Sequence, residues 1–260
     1  TSGGQTTINP SQSNDTFTSA DDPLTLLETQ QKLHFADYLI EQSSLPFHGG
    51  ALGYFSYDLG RRFEKLPENA ERDIDIPEMA VGIYTHAIIY DRKNGTYWLV
   101  CPNQLRTELT NEIYQLANQE KKATAFNLTS PWQANISKQE YQDKFEQVQA
   151  YLQSGDCYQI NLTQRFGAGY QGDEFAAYCQ LRNANKAPFS AFIRLETFAI
   201  LSISPERFLQ VRSNQVQTKP IKGTVPRSLD PQQDRANAKQ LLNSDKDRAE
   251  NLMIVDLLRN

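Results

Sequence analysis

The chain is poor in the residues that build disulfide scaffolds, histidine-rich metal centres and membrane spans. Its three cysteines, Cys101, Cys157 and Cys179, are an odd number with no close pairing. Such usage goes with reduced thiols in the cytosol rather than with a bridged, secreted fold. The three histidines, His34, His48 and His86, show no metal-ligand spacing, and neither a Ser-His-Asp nor a Cys-His nucleophile signature is present. No apolar run approaches the roughly 20 residues that a membrane helix needs, and the first residues lack the basic-then-apolar pattern of a signal peptide. Positive charge is in deficit: 26 Lys and Arg face 31 Asp and Glu, for a net charge of −5. That balance argues against a nucleic-acid or anionic-membrane partner. Sequons at Asn14, Asn94, Asn127, Asn135 and Asn161 are expected by chance in a chain rich in Asn and Thr, and Asn161 falls within an expected buried strand. These absences describe a cytoplasmic protein.

What is present is enough for a sizeable core. The 260 residues are 39% hydrophobic, which suits one large or two modest domains. Residues 1–22 are polar and rich in Ser, Thr, Gly and Gln, as in a short strand followed by a loop. Asp22-Pro23 then opens a helix whose apolar stripe, Leu24, Leu26, Leu27, Leu33, Phe35 and Leu39, runs to about Glu41. The Gly-rich run 49–57 lacks the Gly-Lys-Ser/Thr ending of a phosphate loop and the spacing of a dinucleotide loop, so it reads as a strand with close backbone packing. Residues 80–90, the Asn94-Gly95 turn and residues 96–101 predict a hairpin. Leu105, Leu109, Ile113 and Leu116 predict an amphipathic helix. A composition shift over 121–131 separates two regions, 1–130 and 131–260. Beyond it, Ser137 and Glu140 have capping-box spacing before a helix that ends at Gly155. Residues 157–166 alternate like a strand buried on both sides. A short helix over 173–182, strands over 189–195 and 198–204, a hairpin around 213–215 and two helices complete the pattern. The mixed order favours an α+β fold over a doubly wound sheet.

Chemistry concentrates in Gln-Thr-Lys-Pro-Ile-Lys-Gly-Thr, residues 217–224. Lys222 sits between an apolar residue and a glycine, near an expected strand end. Pro220 removes a backbone donor, and Gly223 permits a conformation or a ligand approach that a Cβ would block. A lysine held there suits a small anion, and an amine kept partly from water suits nucleophilic attack. On the local residues alone, an exposed lysine after a hairpin is the more ordinary reading. Asp247 and Glu250 lie three apart on an expected helix, so both carboxylates reach one side of it. Such a pair suits a hard divalent cation such as Mg²⁺, although on spacing alone a solvated face with Lys246 and Arg248 as counter-charges is the more ordinary reading. Glu206, read alone, is a strand-end charge.

Three blocks carry a resemblance: Ser204-Pro205-Glu206-Arg207-Phe208, the lysine run just described, and Ser-Asp-Lys-Asp-Arg-Ala-Glu-Asn-Leu-Met-Ile-Val-Asp-Leu-Leu-Arg-Asn at 244–260. With the run Phe-His-Gly-Gly-Ala-Leu-Gly-Tyr-Phe-Ser-Tyr-Asp-Leu-Gly-Arg-Arg-Phe at 47–63, they resemble the chorismate-utilising enzymes. Anthranilate, isochorismate and salicylate synthases usually have alanine where Lys222 stands, and lysine there marks the aminodeoxychorismate-forming branch. The resemblance implies stacked, largely antiparallel sheets flanked by helices. Region 1–130 would be the N-terminal anthranilate synthase component I-like region, and 131–260 the first part of the chorismate-binding catalytic region.

The implied reaction is a transferase step, amination of chorismate at C4 to 4-amino-4-deoxychorismate. The ammonia comes from a glutamine amidotransferase partner, in p-aminobenzoate and folate biosynthesis. Lys222 is then the nucleophile and Glu206 the general acid/base, while Gly223 and Thr224 contact substrate. Glu250 becomes the direct Mg²⁺ ligand with Asp247 in support. Pro188, Phe189 and Ser190 line a tryptophan-like amino-acid pocket away from the active site, or else simply begin a core strand. The family's Gly-Gly-x-x-Thr-Gly-Ala-Pro-Lys run, its second acidic magnesium motif and the N-terminal strand of the amino-acid pocket are not found here. The resemblance therefore implies a fragment, with weak or no turnover from these residues alone and with strands meant to be central exposed as edges. Two other readings stand beside this one. An anthranilate or salicylate synthase would carry alanine at position 222. A noncatalytic module binding a glutaminase or an amino acid would lose nothing on Lys222→Ala or Glu250→Gln.

Overall fold

The computed structural model describes residues 1–10, 15–36, 44–119 and 124–259. The chain divides into two compact units, Thr1–Glu120 and Lys121–Asn260. Every strand pairing among the described residues is antiparallel and two-stranded, and helices alternate with the ladders. The fold is therefore α+β, as the element order predicts.

In the first unit, β1 (Thr6–Ile8) pairs with β2 (Phe17–Ser19). Helix α1 (Pro23–Phe35) starts where expected: the Asp22 carboxylate accepts from Thr25 N at 2.7 Å, and Pro23 occupies the first turn without needing a donor. The expected extension through Leu39 to Glu41 lies outside the described residues. The Gly-rich run is β3 (Gly50–Phe55), paired with β4 (Met79–Tyr84). A Cβ at Gly53 would lie 2.1 Å from the Ala80 carbonyl oxygen, so glycine is there for close backbone packing and not for phosphate. The hairpin expected from residue 80 onward is divided. β4 belongs to β3, and only β5 (Ala87–Asp91) pairs with β6 (Thr96–Val100). The Asp91 carboxylate fixes that turn by accepting from Lys93 N, Asn94 N and Asn94 Nδ2, and Gly95 has φ +66°. Helix α2 (Arg106–Ala117) closes the unit.

In the second unit, β7 (Asn127–Leu128) and β8 (Gln133–Ala134) precede α3 (Lys138–Ser154). The capping box forms in full: Glu140 N donates to Ser137 Oγ at 3.2 Å and Ser137 N to Glu140 Oε2 at 2.7 Å. Gly155, with φ +80°, ends the helix. The strand expected over 157–166 is a correction. Only β9 (Phe166–Gly167) pairs, with β8, while β10 (Tyr170–Gln171) pairs with β7. Asn161 is exposed rather than buried: alternating apolar residues make a strand only where a ladder partner exists, and among the described residues of this stretch the strand ladders begin at Phe166, with Arg165 bonded to Asn135 just before it. Helix α4 (Glu174–Asn185) follows. Then β11 (Phe189–Arg194) pairs with β12 (Ala199–Ser204), placing Phe189 opposite Ser204. β13 (Gln210–Arg212) and β14 (Gln215–Gln217) form a hairpin whose turn residues Ser213 and Asn214 both have positive φ, matching the twist that two-residue hairpins need. Helices α5 (Pro231–Leu242) and α6 (Asp245–Arg259) end the described chain. No helix among the described residues is long and apolar enough to cross a membrane.

Candidate active site

Lys222 follows β14 by five residues, in an irregular stretch rather than at a strand end. Two glutamates bracket it. The Ile221 N–H donates to Glu206 Oε1 at 3.1 Å, and the Lys222 ammonium lies 3.9 Å from Glu250 Oε1 on α6. Lys222 is largely shielded, with 23% of its side chain exposed. Gly223 is required twice over. Its φ is +76°, and a Cβ there would come within 2.7 Å of Leu241 Cδ1 and 2.9 Å of the Asp247 carboxyl carbon. A side chain at 223 would displace the Leu241 and Asp247 side chains that α5 and α6 place there.

The acidic pair of α6 is therefore split in task, although both residues face the lysine run. Asp247 packs on Gly223 and Glu250 points to the amine. Ser244 Oγ accepts from Asp247 N at 3.3 Å and starts the helix. An open cavity of about 770 Å³ is bordered by Lys222, Leu241, Asp247, Arg248, Asn251 and Val255. Of these, Leu241, Asn251 and Val255 are not singled out by the sequence. Asn251 has a usable signal, one helical turn beyond Asp247. Leu241 has none, because its contact with Gly223 joins two separate elements. The loop beyond Thr224 is tied to α5: Arg227 donates to both Asp234 oxygens at 2.7 and 2.9 Å, and Asn237 Nδ2 donates to the Pro226 carbonyl. The Arg227 guanidinium, helped by the Ser228 N–H, holds the Asp234 carboxyl below the usual carboxylate range. Thr224 itself is exposed.

Glu206 is fixed locally as well. Ser204 Oγ donates to the Glu206 carbonyl and accepts from the Glu206 N–H. Pro188, Phe189 and Ser190 do not border the cavity at Lys222. Phe189 and Ser190 begin β11 and Pro188 lies in the turn before it; Ser190 Oγ donates to the Ala187 carbonyl at 2.9 Å and Phe189 keeps 41% of its surface exposed. The structure thus brings Lys222, Gly223, Glu206, Asp247 and Glu250 together and leaves Pro188, Phe189 and Ser190 apart. Among the described residues, no group of three or more His, Cys, Asp or Glu side chains is placed to hold a metal ion.

The fold is that of anthranilate synthase component I. The crystal structure of that protein from Streptococcus pneumoniae TIGR4 superposes with a TM-score of 0.78 at 24% identity, over 98% of this chain and 60% of that one. The chain belongs to the chorismate binding enzyme family, whose sequence model matches residues 3–260. It is 54% identical to aminodeoxychorismate synthase component 1 of Escherichia coli (strain K12) over 100% of its own length and 56% of that protein. It is 55% identical to the protein of the same name from Klebsiella aerogenes, over 94% of this chain and 53% of that one. Anthranilate synthase component 1 of Thermus thermophilus matches at 29% identity, over 83% of this chain and 48% of that one. The chain thus spans about half the length of the curated relatives it matches.

Proposed function

We propose that the chain carries the lysine-bearing part of an aminodeoxychorismate synthase component 1, which aminates chorismate at C4 to 4-amino-4-deoxychorismate. The observation that carries this is the shielded Lys222 amine at the edge of a cavity, with Glu206 bound to the backbone of the preceding residue and Glu250 facing the amine. The Lys222 amine attacks ring C2, and both ring double bonds shift, through C1, C6 and C5, as the C4 hydroxyl departs. Glu206 protonates that hydroxyl so that it leaves as water. Ammonia then adds at C4, both double bonds return to their first positions, and the lysine amine is expelled from C2. Two displacements each form one bond and break one, and the enzyme amine is regenerated. The Gly223 N–H and Thr224 hydroxyl are donors suited to a substrate carboxylate.

The donor set suits magnesium. Two hard carboxylates on one side of α6, Glu250 as ligand and Asp247 in support, leave the remaining positions to substrate oxygens and water. When bound, the ion supplies positive charge for a substrate carboxylate. The ammonia source in this reading is a glutamine amidotransferase, the second component that the relatives' "component 1" implies, in p-aminobenzoate and folate biosynthesis. In this reading the exposed Phe189 ring and neighbouring Pro188 and Ser190 would line one side of a pocket for a tryptophan-like amino acid. Regions 1–130 and 131–260 are the N-terminal and chorismate-binding regions. Three free cysteines accord with the cytoplasm.

The test is intact-protein mass spectrometry after incubation with chorismate and Mg²⁺ but no ammonia, on this chain and on a chain of the relatives' full length. An adduct that disappears in Lys222→Ala is the expected result. Product formation on adding ammonia, with no adduct in either chain, would reassign Lys222 from nucleophile to electrostatic helper. Retained amidotransferase binding with neither adduct nor product in the longer chain would favour a noncatalytic module.

A further inference from the structure

Arg207 has no place in the mechanism above, yet it ties together the strand ends that surround it. Its Nη2 donates to Gln217 Oε1 at 2.8 Å, at the last residue of β14. Its guanidinium carbon lies 5.7 Å from the centre of the Phe189 ring, at the first residue of β11. Its Nε is buried with no hydrogen-bond acceptor among the described residues. A buried donor without an acceptor opposes folding, so the guanidinium is kept in place by its other contacts, the ring face and the Gln217 amide.

The preceding residue is Glu206, whose carboxylate accepts from Ile221 N–H. Two consecutive residues therefore grip the same downstream segment at two points, Arg207 at Gln217 and Glu206 at Ile221, four residues apart. Arg207 also anchors their common backbone to Phe189. Only a planar fork can stack on a ring and bond sideways at the same time, so lysine is not equivalent here.

We propose that Arg207 is a positioning residue: clamped between Phe189 and Gln217, it fixes the Glu206 carboxylate against the Ile221 N–H and so sets where that carboxylate stands beside Lys222. The proposal takes the importance of Glu206 from the reaction assigned above, but its geometry is tested without substrate. It also connects the Phe189 segment to the lysine run through one side chain.

The experiment is residue-resolved amide hydrogen exchange on the chain, with the Ile193 and Ile200 amides of the β11–β12 ladder, a hydrogen-bonded pair two residues from the Leu195–Phe198 pair, as internal reference. In Arg207→Gln, the Ile221 amide exchanges at least tenfold faster while the references stay within twofold. Glu206→Gln gives a comparable acceleration, and the double variant adds less than twofold. Arg207→Lys fails to restore protection, and Phe189→Leu, which removes only the ring face, gives a smaller acceleration of the same amide. An Ile221 amide unchanged in Arg207→Gln overturns the proposal, as does a uniform acceleration of Ile221 and the references. So do fully multiplying effects of the two substitutions. None of these outcomes bears on whether Lys222 forms an adduct with chorismate, so failure here and failure of the assigned reaction are separately visible.

Discussion

At the scale of single residues, the candidate site depends on an absent side chain as much as on those present. Gly223 holds a left-handed backbone and lets the Asp247 carboxyl and Leu241 close on the lysine run. Gly223→Ala is expected to cost about 1–2 kcal/mol for the left-handed conformation. The displaced Leu241 and Asp247 add roughly 1–3 kcal/mol of overpacking. A lowered urea midpoint with unchanged slope is the readout. The same substitution at Gly53, where a Cβ meets the Ala80 carbonyl oxygen, destabilises without touching the adduct chemistry of Lys222. Glu250→Gln removes the anion facing Lys222 and the proposed metal ligand together. Magnesium affinity in the presence of chorismate should fall by on the order of tenfold or more. Titration calorimetry measures it, and unchanged affinity would exclude Glu250 as a ligand.

At the scale of elements, the helix starts were legible because they are local. Ser137 with Glu140, and Asp22 with Pro23, are patterns of three or four residues whose bonds form within one turn. Ser137→Ala is expected to cost about 1 kcal/mol, read as a lower thermal midpoint. The same locality governs acid sensitivity. The carboxyls of Asp22 and Glu140 are held below their ordinary range by backbone N–H groups at helix starts, Asp173 by Arg194, and Glu174 by the Tyr170 hydroxyl. A lowered carboxyl binds fewer protons in the folded than in the unfolded chain. Its stabilisation is therefore present at neutral pH and is lost as pH falls below about 4, the range in which free carboxyls titrate. Urea midpoints between pH 6 and pH 3 should decline, and Arg194→Gln should flatten that decline. The strand predictions were weaker for the opposite reason. The alternation over 157–166 promised a strand, and the pattern from residue 80 promised one hairpin arm, yet pairing partners assigned the first mostly to loop and broke the second between Tyr84 and Ala87.

At the scale of the whole molecule, large apolar side chains remain in solvent along the last helices. Leu242, Leu252 and Leu257 are 74%, 71% and 71% exposed, on helices that border the cavity at Lys222. Surfaces of this kind bind apolar dyes and self-associate. The chain should therefore enhance the fluorescence of an apolar dye and sediment in a concentration-dependent way, and Leu252→Gln with Leu257→Gln should reduce both. A dye signal indifferent to these substitutions would locate the apolar surface elsewhere.

The division between sequence and structure follows the range of the interactions. Helix caps, the Ser213-Asn214 turn and the acidic pair of α6 lie within a few residues of chain, so residue type and spacing were sufficient to find them. The quoted motif residues also sufficed for the family. Only the tertiary structure decided that Asp247 packs on Gly223 while Glu250 faces Lys222, that Glu206 meets the backbone of Ile221, and that Arg207 joins Phe189 to Gln217. Each of those contacts links separate elements. Which atoms meet there depends on how helices and hairpins pack, and no spacing along the chain encodes that distance.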